Sequence, residues 1–107
     1  MSVQQISAIE LRDKLQNNPQ PFLLDVREPH EFHYAHIEGS TLVPLNQIPQ
    51  RFDELDRNRE IVIICHHGIR SQQAANFLDH HGFEHILNLA GGIDAWSREC
   101  DASVPRY

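Results

Sequence analysis

Short, largely apolar runs alternate along the chain with stretches in which apolar residues recur every three or four positions. The clearest run is Ile61-Val62-Ile63-Ile64, four consecutive β-branched residues set in polar sequence. Such a run fits a strand covered on both faces, as in a parallel sheet. Phe22-Leu23-Leu24-Asp25-Val26 reads as a second buried strand, Thr41-Leu42-Val43 as a third stopped by Pro44, and Ile86-Leu87-Asn88-Leu89 as a fourth.

Helical periods fill the gaps. Ser7-Ala8-Ile9-Glu10 has capping-box spacing, followed by Ile9, Leu11 and Leu15 and an end near Asn17-Asn18-Pro19. Pro29 to Ala35 predicts a short helix, and Ile37-Glu38-Gly39-Ser40 a turn into the third strand. Leu45, Ile48, Phe52 and Leu55 form a helical stripe weakened by Pro49, and Asp56 to Glu60 a solvated connector. Ser71 is placed to cap a helix carrying Ala74, Ala75 and Leu78 on one side and closing at Gly82. A last helix runs from Ile93 to about Arg98. Strands alternating with helices predict an α/β fold, a parallel sheet with helices on both faces. Ligands of such sheets sit beyond the carboxyl ends of the strands, where Asp25, Arg27, Cys65 and Ala90-Gly91 all fall.

The 107 residues suit one domain, 1–107, with a single core. The longest apolar run, Ile61 to Cys65, is far short of the ~20 residues of a membrane helix. Met1 to Gln5 shows no basic region followed by an apolar one, so no secretory signal is expected and a cytoplasmic location is. Two cysteines, Cys65 and Cys100, are too few for a disulfide framework or a thiolate zinc site, and fit a reduced compartment. A formal charge of −6, with nine scattered Lys and Arg, argues against a nucleic-acid partner. Neither a membrane partner nor a cofactor is expected.

Candidate chemistry concentrates at Cys65-His66-His67-Gly68-Ile69-Arg70-Ser71, a passage from strand through turn into helix. Amides of a first helical turn and the helix dipole favour a thiolate, and Arg70 adds a positive charge. Cys65 is therefore a candidate nucleophile from its local setting.

Four stretches together resemble the rhodanese family of single-domain sulfurtransferases. They are Asp25-Val26-Arg27 with Glu31-Phe32, His36-Ile37-Glu38-Gly39-Ser40, the Cys65–Ser71 stretch, and Gly91-Gly92 with Trp96. The resemblance implies a single rhodanese-like domain whose parallel five-stranded sheet is flanked by helices on both faces. It also implies a thiosulfate sulfurtransferase in which Cys65 takes sulfane sulfur, carries it as a persulfide and passes it to cyanide or another thiol. Partners would be small-molecule sulfur donors and acceptors, with a protein thiol as a further acceptor. Residues His66, His67, Gly68, Ile69, Arg70 and Ser71 would form the persulfide cradle, with converging amides and Gly68 supplying its curvature. The loop from Cys65 to Arg70 spans six residues, as in sulfur-transferring members, whereas phosphatases sharing the fold have one more. Ile64 also stands where the phosphatase cysteine usually follows a histidine, which disfavours phosphatase and arsenate reductase chemistry.

The resemblance leaves a second class open, a rhodanese module that carries sulfur or binds a partner without turnover. The sequence departs from many active members at His66, where they place a fixed basic residue that attracts thiosulfate. Arg70 is expected to hold the loop or the donor anion, and Asp25 and Arg27 to brace the sheet edge as an ion pair. Trp96 is read as core and Cys100 as an incidental thiol. His30, His33 and His36 have a spacing that could serve zinc, but no metal site is expected, because His36 matches a structural family position. His66 and His67 are candidates for lowering the thiol pKa when protonated.

Overall fold

The computed structural model describes residues 3–107. Met1 and Ser2, part of the segment read for a secretory signal, lie outside the described residues. Five strands form one wholly parallel sheet: β1 (Gln4–Ile6), β2 (Phe22–Asp25), β3 (Thr41–Leu42), β4 (Ile61–Ile64) and β5 (Ile86–Leu89), in the spatial order β1-β5-β4-β2-β3. The central strand, β4, has the most continuous apolar sequence, and every residue of β4 and of its neighbour β5 is buried. A strand buried on both faces gains roughly 1.5–3 kcal/mol for each large aliphatic side chain it hides.

Alternation along β4 sends residues to two separate cores. Val62 and Ile64 join Leu11, Leu23, Leu89, Ile93 and Trp96 on one face, covered by α1 (Ala8–Lys14) and α5 (Gly92–Glu99). Ile61, Ile63 and Cys65 join Leu24, Ile48, Ala74, Ala75 and Leu78 on the other, covered by α3 (Ile48–Arg51) and α4 (Ile69–Asp79). The remaining helix, α2 (Pro29–Tyr34), follows β2 at the carboxyl end of the sheet and buries no residue fully. Trp96 lies in the core as the sequence implies, and Cys100 packs against the face opposite Cys65.

Several boundaries differ from the sequence pattern for physical reasons. Strand β1 escapes the hydrophobic pattern because it is a three-residue edge strand with only Ile6 buried, held by parallel pairing to Leu87–Leu89. Helix α1 begins with the expected Ser7 and Glu10 capping box but ends at Lys14, before Pro19. The Leu45–Leu55 stripe is a relay of two 3-10 turns, Leu45–Gln47 and Phe52–Glu54, around α3. Pro49 falls in the first turn of α3, where its missing N–H is not needed, so it starts a helix rather than sitting inside one. The Asp25–Arg27 pair stands at the carboxyl end of an interior strand, not at the sheet edge, because β3 pairs outside β2.

Candidate active site

The Cys65 loop is anchored at both ends by buried structure. Ile64 ends β4, and the turn that follows closes when Gly68, at a φ of 109°, enters the left-handed region and becomes the residue before α4. A side chain is disfavoured in that conformation, so glycine at this point lets the chain reverse at once into a helix. The helix therefore starts at Ile69, and Ser71 is not its cap. Ser71 lies inside the first turn, fully buried, and its hydroxyl donates to Oδ1 of Asn88 on β5. The register that made Ser71 look like a cap instead aims it inward at Cys65.

Cys65 is 1% exposed, and its Sγ accepts a hydrogen bond from the Gly68 amide at 3.0 Å and lies 3.2 Å from Ser71 Oγ. An amide, a hydroxyl and the start of an eleven-residue helix thus face one sulfur. The amide and the helix start favour negative charge there, and the hydroxyl joins them only when its one proton turns from Asn88 to the sulfur. With the Ser71 proton on Asn88, the thiol donates to Ser71; a thiolate draws that proton to itself. The Asn88 amide nitrogen meanwhile bonds Gln5 at 2.9 Å, Gln72 at 3.1 Å and the Gly68 carbonyl at 3.3 Å. This amide network ties the loop to β1, β5 and α4 together.

A second clamp comes from α5. Its first amides reach back to the loop, Ile93 N–H to the Cys65 carbonyl at 2.8 Å and Asp94 N–H to the His66 carbonyl at 3.1 Å. Gly91 and Gly92 make this approach possible, and both have positive φ.

Arg70 does not stand free to meet a donor anion. Its guanidinium forms a two-pronged ion pair with Glu31 of α2, at 2.7 and 2.9 Å. That pair holds the Glu31 carboxyl down at about 2, against partial burial, with the Glu28 amide and the Tyr107 hydroxyl assisting. Arg70 moves upward for the same reason. The pairing also offsets the unfavourable position of a cation in a first helical turn.

Asp25 and Arg27 are both wholly buried. Arg27 Nη2 donates to Asp25 Oδ2 at 2.7 Å and to the Ala35 carbonyl at 2.6 Å, while Nε donates to Asp25 Oδ1 at 2.9 Å. Nη1 donates to the Tyr107 hydroxyl at 2.7 Å, and that hydroxyl donates to Glu31 Oε2 at 2.9 Å. One chain of contacts thus runs Asp25, Arg27, Tyr107, Glu31, Arg70. It connects β2 to the start of α4 through the carboxyl-terminal segment.

Two histidines complete the loop. His66 is stacked on the Tyr107 ring with centroids 3.9 Å apart and planes 5° from parallel, and lies 4.0 Å from His67. Burial, then the neighbouring His67, pushes the His66 pKa down, while the Tyr107 backbone, Asp94 and Glu31 oppose. His66 is thus held toward its neutral form, so it supplies less positive charge to the thiol than its position suggests. Just beyond α2, His36 Nδ1 donates to the Phe32 carbonyl at 2.8 Å and its ring stacks on that of Phe32.

The structure therefore gathers Gly68 and Ser71 on the Cys65 sulfur, sets Arg70 on Glu31, and links the buried Asp25–Arg27 pair to Glu31 through Tyr107. Glu31, Asn88 and Tyr107 belong to the same cluster without having been singled out as site residues. Glu31 is three residues after Glu28 at a helix start, a spacing that signals a role at the amino end of α2. Nothing in its spacing points Tyr107 at the loop, since 80 residues separate it from Arg27.

Comparison with known proteins agrees with this geometry. Residues 7–99 match the rhodanese-like domain family. The chain belongs to that family. It is 36% identical over 96 residues to a protein named "Sulfurtransferase" of Allochromatium vinosum, covering 90% of each chain. It is 38% identical over 96 residues to "Putative sulfur carrier protein YrkF" of Bacillus subtilis, covering 90% of this chain but 52% of that one, so it spans about half the length of that relative. The crystal structure of a rhodanese-related protein from Thermoplasma volcanium superposes with a TM-score of 0.83 at 32% identity, over 91% of this chain and 93% of that one. Among the described residues no helix is long and apolar enough to cross a membrane.

Proposed function

We propose that this chain is a sulfurtransferase in which Cys65 takes sulfane sulfur from a donor and passes it to a thiophilic acceptor, cyanide or a thiol. The observation that carries this reading is the Cys65 sulfur itself, buried at the start of α4 and facing the Gly68 amide and Ser71 hydroxyl. The Gly68 amide, fixed on a buried sulfur, favours it as an anion, and it remains in place for the persulfide anion that follows. In the first step the Cys65 thiolate bonds to the outer sulfur of the donor, and the bond holding that sulfur breaks with its electrons on the leaving group. In the second, an acceptor nucleophile bonds to the same sulfur and the thiolate returns. Both steps balance as written without a metal or cofactor.

The alternative, a sulfur carrier that is loaded without free turnover, draws its support from the relative named as a sulfur carrier protein. One assay separates the two. Continuous thiocyanate formation from a sulfane donor and cyanide, abolished in a folded Cys65→Ala variant, supports the enzyme; one loaded equivalent without turnover supports the carrier.

A further inference from the structure

Among the described residues four large apolar side chains stand exposed, Ile9, Tyr34, Ile69 and Tyr107, and three of them lie at the Cys65 loop. Ile69 belongs to the loop, and Tyr107 lies flat on His66, directly after the cysteine. Tyr34, the last residue of α2, meets Tyr107 edge to face with ring centroids 5.9 Å apart. Tyr34 is 58% exposed and Tyr107 42%. Exposed apolar side chains grouped at one place mark an interaction surface, whereas single ones need no explanation. The Tyr107 ring is also held from within, since its hydroxyl accepts from Arg27 and donates to Glu31. A ring fixed in this way loses little freedom when a partner covers it.

The charge around this ledge decides what would cover it. Tyr34 lines two hollows, one with Glu31 and Tyr107, the other with Glu38 and Asp101. Neither lysine nor arginine lines either of them. Glu38 is exposed and forms no ion pair among the described residues, and Asp101 accepts from the amide and hydroxyl of Ser103, both neutral. The nearby guanidiniums are turned to other carboxylates, Arg70 to Glu31 and Arg106 to Asp94. The remaining ionisable side chains of the hollows are His30, His33 and His36, and with histidine neutral the whole chain carries a formal charge of −6 at pH 7. An aromatic face beside carboxylates suits an ammonium or guanidinium group, drawn by the ring quadrupole and by charge together. Tyr107 already has His66 on its ring and Arg27 5.8 Å from its centroid, so Tyr34 is the ring left for an incoming cation.

We propose, resting on the sulfur-transfer reading above, that the Tyr34–Tyr107 ledge is the docking surface for a protein acceptor whose cysteine is flanked by lysine or arginine. The flanking cation sits on Tyr34 beside Glu38, and the thiol reaches the loop over Tyr107 and His66. The acceptor thiolate bonds to the outer sulfur of the Cys65 persulfide, and the sulfur–sulfur bond breaks with its electron pair on Cys65 Sγ. The acceptor leaves as a persulfide and the Cys65 thiolate is restored, so the step needs neither oxidant nor reductant.

The test loads Cys65 of the full chain from a sulfane donor, removes the excess, and follows discharge to short capped peptides by quenched intact-mass spectrometry. Each peptide has one cysteine, flanked by two lysines, two glutamines or two glutamates. Every rate is divided by that of the same peptide with hydroxyethyl disulfide, a neutral reagent, which removes the effect of the flanking charges on the thiol itself. At low salt and about pH 8, where an ordinary histidine is neutral, the lysine peptide should be preferred over the glutamate peptide by about tenfold. That is the combined scale of one exposed cation–π contact and one surface ion pair, and added salt should shrink it. Tyr34→Ala and Glu38→Gln should each lower the preference about threefold while still loading at the native rate. Glu84→Gln makes the same change in net charge in the turn that enters β5, and should leave the preference as it is. Equal normalised rates for the three peptides, an unchanged preference in both ledge variants, or an equal loss in Glu84→Gln overturns the proposal while leaving sulfur transfer standing. Discharge to cyanide but to none of the peptides does the same. Failure of Cys65 to load overturns both.

Discussion

Gly92 is pressed against the backbone of Cys65, so closely that a β-carbon on Gly92 would fall 2.5 Å from the Cys65 carbonyl oxygen and 2.3 Å from that of His66. Two amides just beyond it, on Ile93 and Asp94, bond those same carbonyls. The start of α5 is thus the floor of the loop. Its φ of 61° adds a second penalty for any side chain. Gly92→Ala is expected to destabilise the protein by about 2–4 kcal/mol, combining backbone overpacking with left-handed strain. Gly39→Ala is the control: its φ is also positive, at 88°, but an added β-carbon meets nothing within 4 Å. Only the strain should remain there, about 1 kcal/mol, and urea unfolding of the two variants measures the difference.

The Asp25–Arg27 pair is a liability as well as a brace, because both side chains are completely buried. Arg27→Met leaves the Asp25 carboxylate without its partner and should cost about 3–5 kcal/mol. Replacing both, as Asp25→Leu with Arg27→Met, removes the unpaired charge and should recover part of that loss. Recovery below the single variant's stability, measured by chemical denaturation, would mean that the pair holds the fold through contacts other than its charges.

Acid should release α2 from the loop. The Glu31 carboxyl is lowered from 4.5 to about 2 by Arg70, so in the folded chain it stays charged where the unfolded chain has already taken up a proton. A lowered acid contributes stability that is complete above about 4.5 and is lost as pH falls toward about 2. Glu31→Gln should flatten the stability profile in that window and leave the slope above pH 5 unaltered. Thermal melts between pH 2 and 6 give the comparison.

Ser71 offers the sulfur a hydroxyl at 3.2 Å. Losing a hydrogen bond to a charged group costs about 1.5–3 kcal/mol, so Ser71→Ala should slow alkylation of Cys65 by iodoacetamide at neutral pH by about tenfold or more. Asn88→Leu should act in the opposite direction, since Asn88 accepts the one Ser71 proton that a thiolate would otherwise draw to itself. An alkylation rate unchanged in Ser71→Ala would show that the Gly68 amide and the helix suffice.

Much of this arrangement was legible in the sequence because the signals were strong and local. The β-branched run of β4, the Ser7 capping box and the apolar stretch of β2 each specify one element by their own chemistry. Cys65, Gly68 and Arg70 stood out because a strand, a turn and a helix meet within a few residues. What the sequence hid was long-range. Strand β1 is stabilised by pairing with β5 rather than by its own pattern, and Ser71 resembles a cap until Gly68 moves the helix start three residues earlier. Arg70 looks like an anion receptor until α2 folds back and presents Glu31, and Tyr107 enters the cluster from the far end of the chain. Partner choice for a charged side chain depends on the tertiary fold, which spacing along the chain does not encode.

The central claim is that Cys65 carries sulfur. Exposing the protein to a sulfane donor, then combining intact-mass and peptide-mass spectrometry, tests it directly. One added sulfur, about 32 Da, is expected on the peptide holding Cys65, removed by cyanide and absent from Cys65→Ala. An unmodified Cys65 with every donor tried, or sulfur found on Cys100 instead, would contradict it.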